Sequence, residues 1–311
     1  MKLSSDFKIY LLLVGAIVFW GCNWPMSKIG IEYMPTLWHA AIRLGLACLC
    51  MFVITTVLGK FKIPSKQDLP IIFALGLFQM GIFTLLINLG LVFVDAGRSA
   101  ILVYTVPLWV MPIALIVFKE KLNGLKLIGL GLGFLGILIL FSPWSIDWHN
   151  TETLIGNSLL IGAAICMAIS ICTARRLTWH SSSLELLPWQ LLVATIPVLI
   201  IACIFSPVPQ IQWTQTSMWA MAYSAILATA FANGFITVVS NKLPSSTVSL
   251  GLLGVPLTGV ISAVLILDET VTQNMAFAMF FIFSGLLCVV FSAKMPRKSE
   301  KYSASTPNQA L

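Results

Sequence analysis

Two ionisable side chains lie inside a long apolar run, where a charge is costly. His39 and Arg43 are four residues apart and are the only ionisable groups in the segment 36–58, apart from its thiols. This spacing places both side chains on one face of a helix. Arg43 could bind a carboxylate or another anion, and His39 could titrate near neutral pH. The structural alternative pairs Arg43 with Glu32 or Asp95.

Polar and aromatic side chains in other apolar runs could complete a binding site around Arg43. Buried amides need hydrogen-bond partners, and aromatic rings offer flat apolar surfaces. This combination predicts a cavity for a small amphipathic solute such as an amino acid or a heterocycle, although each ring could also be ordinary core or face lipid. The predicted substrate-binding residues are Trp20, Asn23, His39, Arg43, Gln79, Asn88, Tyr104, Trp109 and Asn233.

Prolines interrupt two of the apolar runs at corresponding places in the two halves of the chain. Pro107 and Pro256 would each loosen a helix, and backbone groups freed at mid-membrane can hold a ligand. Either proline alone could be a simple packing kink. Their paired placement predicts that both act as hinges.

The sequence lacks the motifs of several other functional classes. The seven cysteines include no C-x-x-C pair, and the chain has no phosphate-binding G-x-x-x-x-G-K-[ST] loop, no H-E-x-x-H and no G-x-S-x-G. We therefore predict no cofactor, no metal site, no direct use of ATP and no enzymatic activity. An intramembrane enzyme acting on lipid-linked substrates remains the alternative, with His39, Arg43, Glu32 and Asp95 as its one possible cluster.

The elements that position these residues follow from composition. Of 311 residues, 59% are hydrophobic and 9% are charged, whereas soluble domains carry about 25% charged residues. Since about 20 apolar residues cross a bilayer as a helix, we predict an all-α polytopic membrane protein with ten transmembrane helices. The predicted spans are 9–30, 36–58, 69–94, 96–118, 124–141, 156–173, 187–205, 218–241, 247–267 and 273–293.

The distribution of charge predicts orientation and partners. The net charge is +7, but the cations form short clusters between apolar runs, so the lipid bilayer rather than nucleic acid is the expected partner. Fifteen of the 18 Lys and Arg residues fall on one side of the ten spans. The positive-inside rule then predicts that both termini are cytoplasmic in the inner or plasma membrane. The polar segment 294–311 is predicted to be a disordered cytoplasmic tail.

One Pro-to-Glu spacing recurs with an offset of 149 residues. Pro107 precedes Glu120 by 13 residues, and Pro256 precedes Glu269 by the same 13. The offset predicts two five-helix repeats, at 1–145 and 153–293. Because five is odd, the second repeat would enter the membrane in the opposite sense, as in many secondary transporters.

Several short motifs, in this order, resemble those of EamA-type exporters of the drug/metabolite transporter superfamily. The motifs are Trp20-Gly21-Cys22-Asn23-Trp24 with Ser27-Lys28, then Pro35 with Arg43, then Pro107 with Glu120, and Pro256 with Glu269. The resemblance implies ten helices and transport, mostly efflux of small organic solutes such as amino acids. Asp268, directly before Glu269, departs from the pattern, and its role is unassigned.

These observations predict a secondary, non-ATP transporter that exports amino acids or related metabolites by alternating access around a midplane cavity. The alternatives are an importer or exchanger of nucleobase-, nucleotide- or S-adenosylmethionine-like metabolites, the lipid-active enzyme above, and a passive channel. Glycines in the fifth span, among them Gly129 and Gly133 in G-x-x-x-G spacing, predict close helix packing. That packing could lie within one protomer or between two, so monomer and homodimer both remain open.

Overall fold

The computed structural model describes residues 5–119, 124–141, 151–206 and 210–292. Within these ranges the chain is helical and contains no strand. This follows from the apolar composition, because a helix satisfies its own backbone hydrogen bonds where lipid offers none. Predictions that concern Glu120 and the tail 294–311 lie outside the described residues.

The described residues form ten helical rods, numbered α1 to α10, of which six are continuous and four are interrupted. The continuous rods are α1 (Ser5–Tyr33), α2 (Thr36–Val57), α5 (Gly124–Phe141), α6 (Thr151–Arg176), α7 (Ser183–Phe205) and α10 (Gln273–Ser292). The interrupted rods are α3 (Leu69–Ala74, Leu75–Ile82 and Phe83–Phe93), α4 (Ala96–Val103 and Val106–Phe118), α8 (Gln215–Ala222, Tyr223–Phe231 and Ala232–Ser240) and α9 (Ser245–Leu252 and Gly254–Leu267).

Nine of these rods are long and apolar enough to cross a membrane, and α5 is a shorter apolar helix. The predicted spans therefore match helices, but several helices extend further than the apolar runs. The helix α7 begins at Ser183 rather than near residue 187, because Ser182 and Glu185 form a capping box at its start. Uncharged segments do not include polar first turns of this kind, so they predict a helix start that is too late.

The interruptions recur at corresponding places in the two halves. The middle segments of α3 and α8, Leu75–Ile82 and Tyr223–Phe231, are both π-helical. Lys119 and Asp268, which end α4 and α9, both adopt a left-handed conformation, with φ of 51° and 55°. All these features are separated by 148 or 149 residues, the offset found in the sequence.

The two predicted hinge prolines lie just after breaks in their helices. Pro107 is in the first turn of Val106–Phe118, and Pro256 is in the first turn of Gly254–Leu267. Proline is well tolerated in a first turn, where its missing N–H has no helical acceptor to lose. The breaks themselves are therefore the places where each rod could bend. That Pro107 and Pro256 act as hinges stays a prediction.

The helices α2 and α7 pack against each other in antiparallel directions. The Trp38 indole, near the start of α2, donates to the Ser206 carbonyl at the end of α7, at 2.7 Å. The Trp189 indole, near the start of α7, donates to the Lys62 carbonyl beyond the end of α2, at 3.0 Å. The second helix of each half thus meets its counterpart head to tail.

The glycines of α5 pack within the protomer, against α10 and α4. A Cβ at Gly129 would lie 2.8 Å from the Gly285 carbonyl oxygen, and one at Gly136 would lie 2.6 Å from Ile282. A Cβ at Gly133 would collide with Leu108. By contrast, a Cβ at Gly131 would meet nothing within 4 Å. The G-x-x-x-G spacing therefore serves α5–α10 packing, and only the Gly131 side of α5 is open.

We expect Gly129→Leu to destabilise the fold and Gly131→Leu to be tolerated. Overpacking at a rigid backbone contact costs about 3 kcal/mol or more, whereas a change on an open surface usually stays within about 0.5 kcal/mol. The measurement is the apparent Tm of each purified variant in the same detergent. Equal losses of Tm in both variants would contradict the packing of Gly129 against Gly285.

Candidate functional site

Arg43 extends from α2 towards α1 and the π segment of α8. Its Nε donates to the Thr229 hydroxyl at 2.9 Å, and its Nη1 donates to the Ser27 hydroxyl at a long 3.4 Å. The Thr229 hydroxyl in turn donates to the Ser224 carbonyl oxygen at 2.7 Å. A guanidinium has five N–H donors, so these neutral contacts leave most of its donors and all of its charge unmatched.

No carboxylate among the described residues pairs with Arg43. Glu32 and Asp95, the two acids predicted as alternatives, make no ion pair with it. Arg43 nevertheless keeps only 9% of its surface exposed. Because an unneutralised charge inside a helical bundle is costly and is usually functional, the guanidinium is the strongest candidate binding group.

His39 lies one turn before Arg43 and is fully buried. Its Nδ1 is 3.0 Å from the Asn88 Oδ1, while the Asn88 amide nitrogen donates to the Thr84 carbonyl at 3.0 Å. The ring Nε2 has no hydrogen-bond partner and faces Gly30, where even a Cβ would collide with it. The structure thus brings His39 and Asn88 together, and their hydrogen bond joins α2 to α3.

Asn233 lies one turn beyond Thr229 on α8, and its amide nitrogen donates to the Thr229 carbonyl at 2.7 Å. Asn23 lies one turn before Ser27 on α1, and its Oδ1 is buried without a hydrogen-bond partner. The helices α1, α2 and α8, which surround the guanidinium, carry five of the predicted residues: Trp20, Asn23, His39, Arg43 and Asn233. Their roles in binding stay predictions.

The remaining predicted residues have other neighbours. The Tyr104 ring packs edge-on against Trp24, and the Trp109 indole donates to the Thr105 hydroxyl at 3.1 Å. Gln79, in the π segment of α3, accepts a weak hydrogen bond from Ser170 on α6 at 3.5 Å. Trp20 is half-buried on α1. Trp20 thus shares the helix of Asn23, and Tyr104 is linked to that helix through Trp24.

Two surface grooves lie away from the Arg43 cluster. One, of about 670 Å³, is lined by α3 and α6 residues such as Leu86 and Leu159. The other, of about 350 Å³, is an apolar groove between α2 and α7 that includes Cys48 and Leu192. Neither of these two grooves is lined by a predicted binding residue.

Sequence analysis missed a carboxylate that joins two helix starts. Asp68, in the short 3-10 turn Lys66–Asp68 before α3, is buried. Its Oδ2 accepts from the Ser65 and Ser181 hydroxyls, both at 2.8 Å, and its Oδ1 accepts from the backbone N–H groups of His180 and Ser181 at 3.1 and 3.2 Å. Its position directly before the apolar run of α3 was the only available signal.

We expect Asp68→Ala to destabilise the protein by about 3 kcal/mol, because it leaves buried donors of Ser181 without an acceptor. The matched control is Glu185→Ala, which removes an acid from a capping box near the start of the neighbouring helix α7 and should cost about 1 kcal/mol. The apparent Tm should fall by roughly 5 °C for Asp68→Ala. An equal or larger fall for Glu185→Ala would be inconsistent with the buried clasp.

Glu269 forms a second carboxylate clasp, between the two halves of the chain. Its Oε1 accepts from the Ala96 N–H at 2.6 Å and its Oε2 accepts from the Gly97 N–H at 2.9 Å. These are unpaired donors at the start of α4, where the helix dipole also favours a negative charge. The left-handed turn at Asp268 directs the chain into this contact, which gives a physical reason for an acid at this helix end.

The described residues contain no group of three or more His, Cys, Asp or Glu side chains arranged to hold a metal ion. None of the cysteines in these ranges forms a disulfide. The Arg43 cluster consists of a guanidinium, hydroxyls, amides and one imidazole. This set of groups can bind an anion and hydrogen-bond a polar solute.

The chain is similar to proteins of known family. The profile of the EamA-like transporter family matches it twice, at residues 7–142 and 154–291. The chain is 28% identical to the uncharacterized transporter YoaV of Bacillus subtilis (strain 168), over 92% of this chain and 97% of that protein. It is 25% identical to a probable amino-acid metabolite efflux pump of Escherichia coli (strain K12), over 94% and 97%. A solved crystal structure of another protein, 14% identical over 92% of this chain and 98% of that chain, shares the fold with a TM-score of 0.63.

Proposed function

Because the chain belongs to the EamA-like transporter family, we propose that it is a secondary transporter that exports amino acids or closely related carboxylate-bearing metabolites. The protein is a multi-pass protein of the plasma membrane, and the names of its family and relatives point to a transporter rather than an enzyme. Two relatives, from Escherichia coli and Salmonella typhimurium, are named probable amino-acid metabolite efflux pumps. Those names support the substrate class and the outward direction.

The observation that carries the proposal is the buried Arg43 guanidinium without a carboxylate partner. A substrate carboxylate would neutralise it and accept two parallel hydrogen bonds. The neutral contacts from Ser27 and Thr229 hold the guanidinium in place but do not compete for its charge. His39 and Asn88 position the helix face that carries Arg43.

Alternating access requires two states of the same binding site. We propose that the halves 1–145 and 153–293 are inverted five-helix repeats, with ten crossings and both termini in the cytoplasm. The antiparallel contacts of Trp38 and Trp189 and the recurring interruptions at an offset of 148 or 149 residues support this arrangement. Arg43 contacts side chains from both halves, so a relative motion of the halves would open the site first to one side and then to the other.

A ligand screen by thermal stability tests the substrate class. A ligand that binds only the folded state raises the apparent Tm, so the purified protein is screened against amino acids, nucleobases, nucleotides, S-adenosylmethionine, polyamines and cationic dyes. We expect stabilisation by amino acids or other small carboxylates. S-adenosylmethionine bears an amino-acid carboxylate and therefore counts with that class. Stabilisation only by nucleobases, nucleotides, polyamines or cationic dyes, none of which carries a carboxylate, would contradict the proposal.

A further inference from the structure

The Asn23 amide is a second unmatched polar group in the Arg43 cluster. It lies in the middle of the continuous helix α1, and its Oδ1 is buried and has no hydrogen-bond partner. A buried amide oxygen without a partner is costly. Nothing in the described protein supplies the missing donor, so a donor from a bound solute is the natural complement.

Asn23 lies one helical turn from the residue of α1 that Arg43 contacts. Ser27, which accepts from Arg43, is four residues after Asn23 on α1. These two side chains therefore share a helix face and are separated by about 6 Å along the axis. A solute whose own two polar groups are roughly 3 Å apart, with a hydrogen bond of about 3 Å at each end, can bridge a guanidinium and an amide oxygen that lie up to about 9 Å apart.

A second acceptor without a partner lies beside Thr229. The Ser224 hydroxyl is fully buried and has no hydrogen-bond partner. The Ser224 carbonyl accepts the Thr229 hydroxyl, which binds Arg43, so Ser224 adjoins the cluster through its backbone. The cluster thus offers one unneutralised cation and at least two unused oxygen atoms, and no described carboxylate contributes a negative charge to it.

We infer that Asn23 selects α-amino acids by accepting a hydrogen bond from the substrate ammonium group, with Ser224 as a second acceptor, while Arg43 binds the carboxylate. This inference rests on the proposed function and adds the group that distinguishes an amino acid from its hydroxy-acid analogue. An analogue with a hydroxyl in place of the ammonium group offers one donor instead of three. A simple amine offers no carboxylate to Arg43.

The test measures Kd for three matched probes by titration calorimetry with the purified full chain. The 20 standard amino acids are tried first, and the tightest-binding one is then compared with its 2-hydroxy acid and its decarboxylated amine. We expect the amino acid to bind at least about tenfold more tightly than the hydroxy acid, and the amine not to bind measurably.

The variant Asn23→Leu should weaken the amino acid by about 10- to 100-fold and leave the hydroxy acid within about threefold of wild type. The matched control is Asn157→Leu, because Asn157 is another buried amide without partners, on α6. It should leave all three Kd values unchanged.

Each outcome separates the inference from the function on which it rests. If none of the 20 amino acids binds the wild-type protein, the proposed function itself is contradicted. If an amino acid binds but its hydroxy acid binds equally well, or if Asn23→Leu keeps the preference, the ammonium subsite is wrong and the transport proposal stands. The wild-type comparison remains decisive even if Asn23→Leu fails to fold, and unchanged hydroxy-acid binding would show that it has folded.

Discussion

Replacing Arg43 by Ala should lower transport by about 100-fold or more without lowering stability. A bidentate, charge-assisted pair between a guanidinium and a carboxylate contributes about 3 kcal/mol when it is shielded from water, which corresponds to roughly a 100-fold change. Removing a buried charge that lacks a partner should be neutral or stabilising for the fold. Thr229 keeps its own bond to the Ser224 carbonyl in the variant. The measurement is the initial rate of amino-acid uptake into proteoliposomes, normalised to folded protein.

One further variant shows whether the planar guanidinium fork or only the charge of Arg43 matters, and another serves as a control. Arg43→Lys keeps the charge but loses the planar fork, so we expect about a tenfold loss. Arg98→Ala is the matched control, since Arg98 donates to the Leu140 carbonyl at 2.6 Å and serves the fold. That variant should lose Tm and keep most of its transport per folded molecule. Equal losses of transport and Tm for Arg43→Ala would assign Arg43 to structure instead.

Replacing Glu269 by Ala should release the start of α4 from the second half of the chain. The carboxylate is the acceptor for two helix-start N–H groups, those of Ala96 and Gly97. Losing two charge-assisted bonds should cost about 3 kcal/mol and shift any equilibrium that depends on this contact by roughly 100-fold. We expect hydrogen exchange in the segment Ala96–Val103 to accelerate by a comparable factor, and transport to fall because one state of the cycle becomes too rare.

The neighbouring acid provides the control for Glu269. Asp268→Asn removes a charge from the same turn, and asparagine tolerates the left-handed conformation with φ of 55°. Exchange in Ala96–Val103 should be unchanged in this variant. The glutamate clasp would be refuted if Asp268→Asn accelerated exchange as much as Glu269→Ala, or if neither variant did.

The sequence predicts the helices well because lipid allows few alternatives for an apolar chain. Uncharged runs correspond to all ten rods, although polar first turns such as that of α7 extend them. The π segments Leu75–Ile82 and Tyr223–Phe231 could not be predicted, since a shift from i+4 to i+5 hydrogen bonding leaves no mark in an apolar run. The sequence also does not indicate which side of α5 packs against α10, because its glycines lie on more than one face and only the fold places Gly129 against Gly285.

Sequence spacing could place candidate site residues relative to one another only within one helix. The spacing of His39 and Arg43 places them on one face, whereas the contact of Asn88 with His39 joins two helices and depends on the fold. The partner Thr229, however, is 186 residues away from Arg43 in sequence, and only the fold brings the two together. Asp68 was missed for the opposite reason, since an acid at the edge of an apolar run is usually an exposed loop residue, and here it is buried.

The most direct test of amino-acid transport by alternating access is exchange of an amino acid across a proteoliposome membrane. The vesicles are loaded with a high concentration of the unlabelled amino acid that binds best, and uptake of a trace of the labelled form is followed over time. Alternating access predicts saturable uptake that unlabelled substrate inside accelerates, with a transient accumulation that Arg43→Ala abolishes. Flux that rises linearly with concentration and does not depend on internal substrate would contradict alternating access and indicate a passive channel.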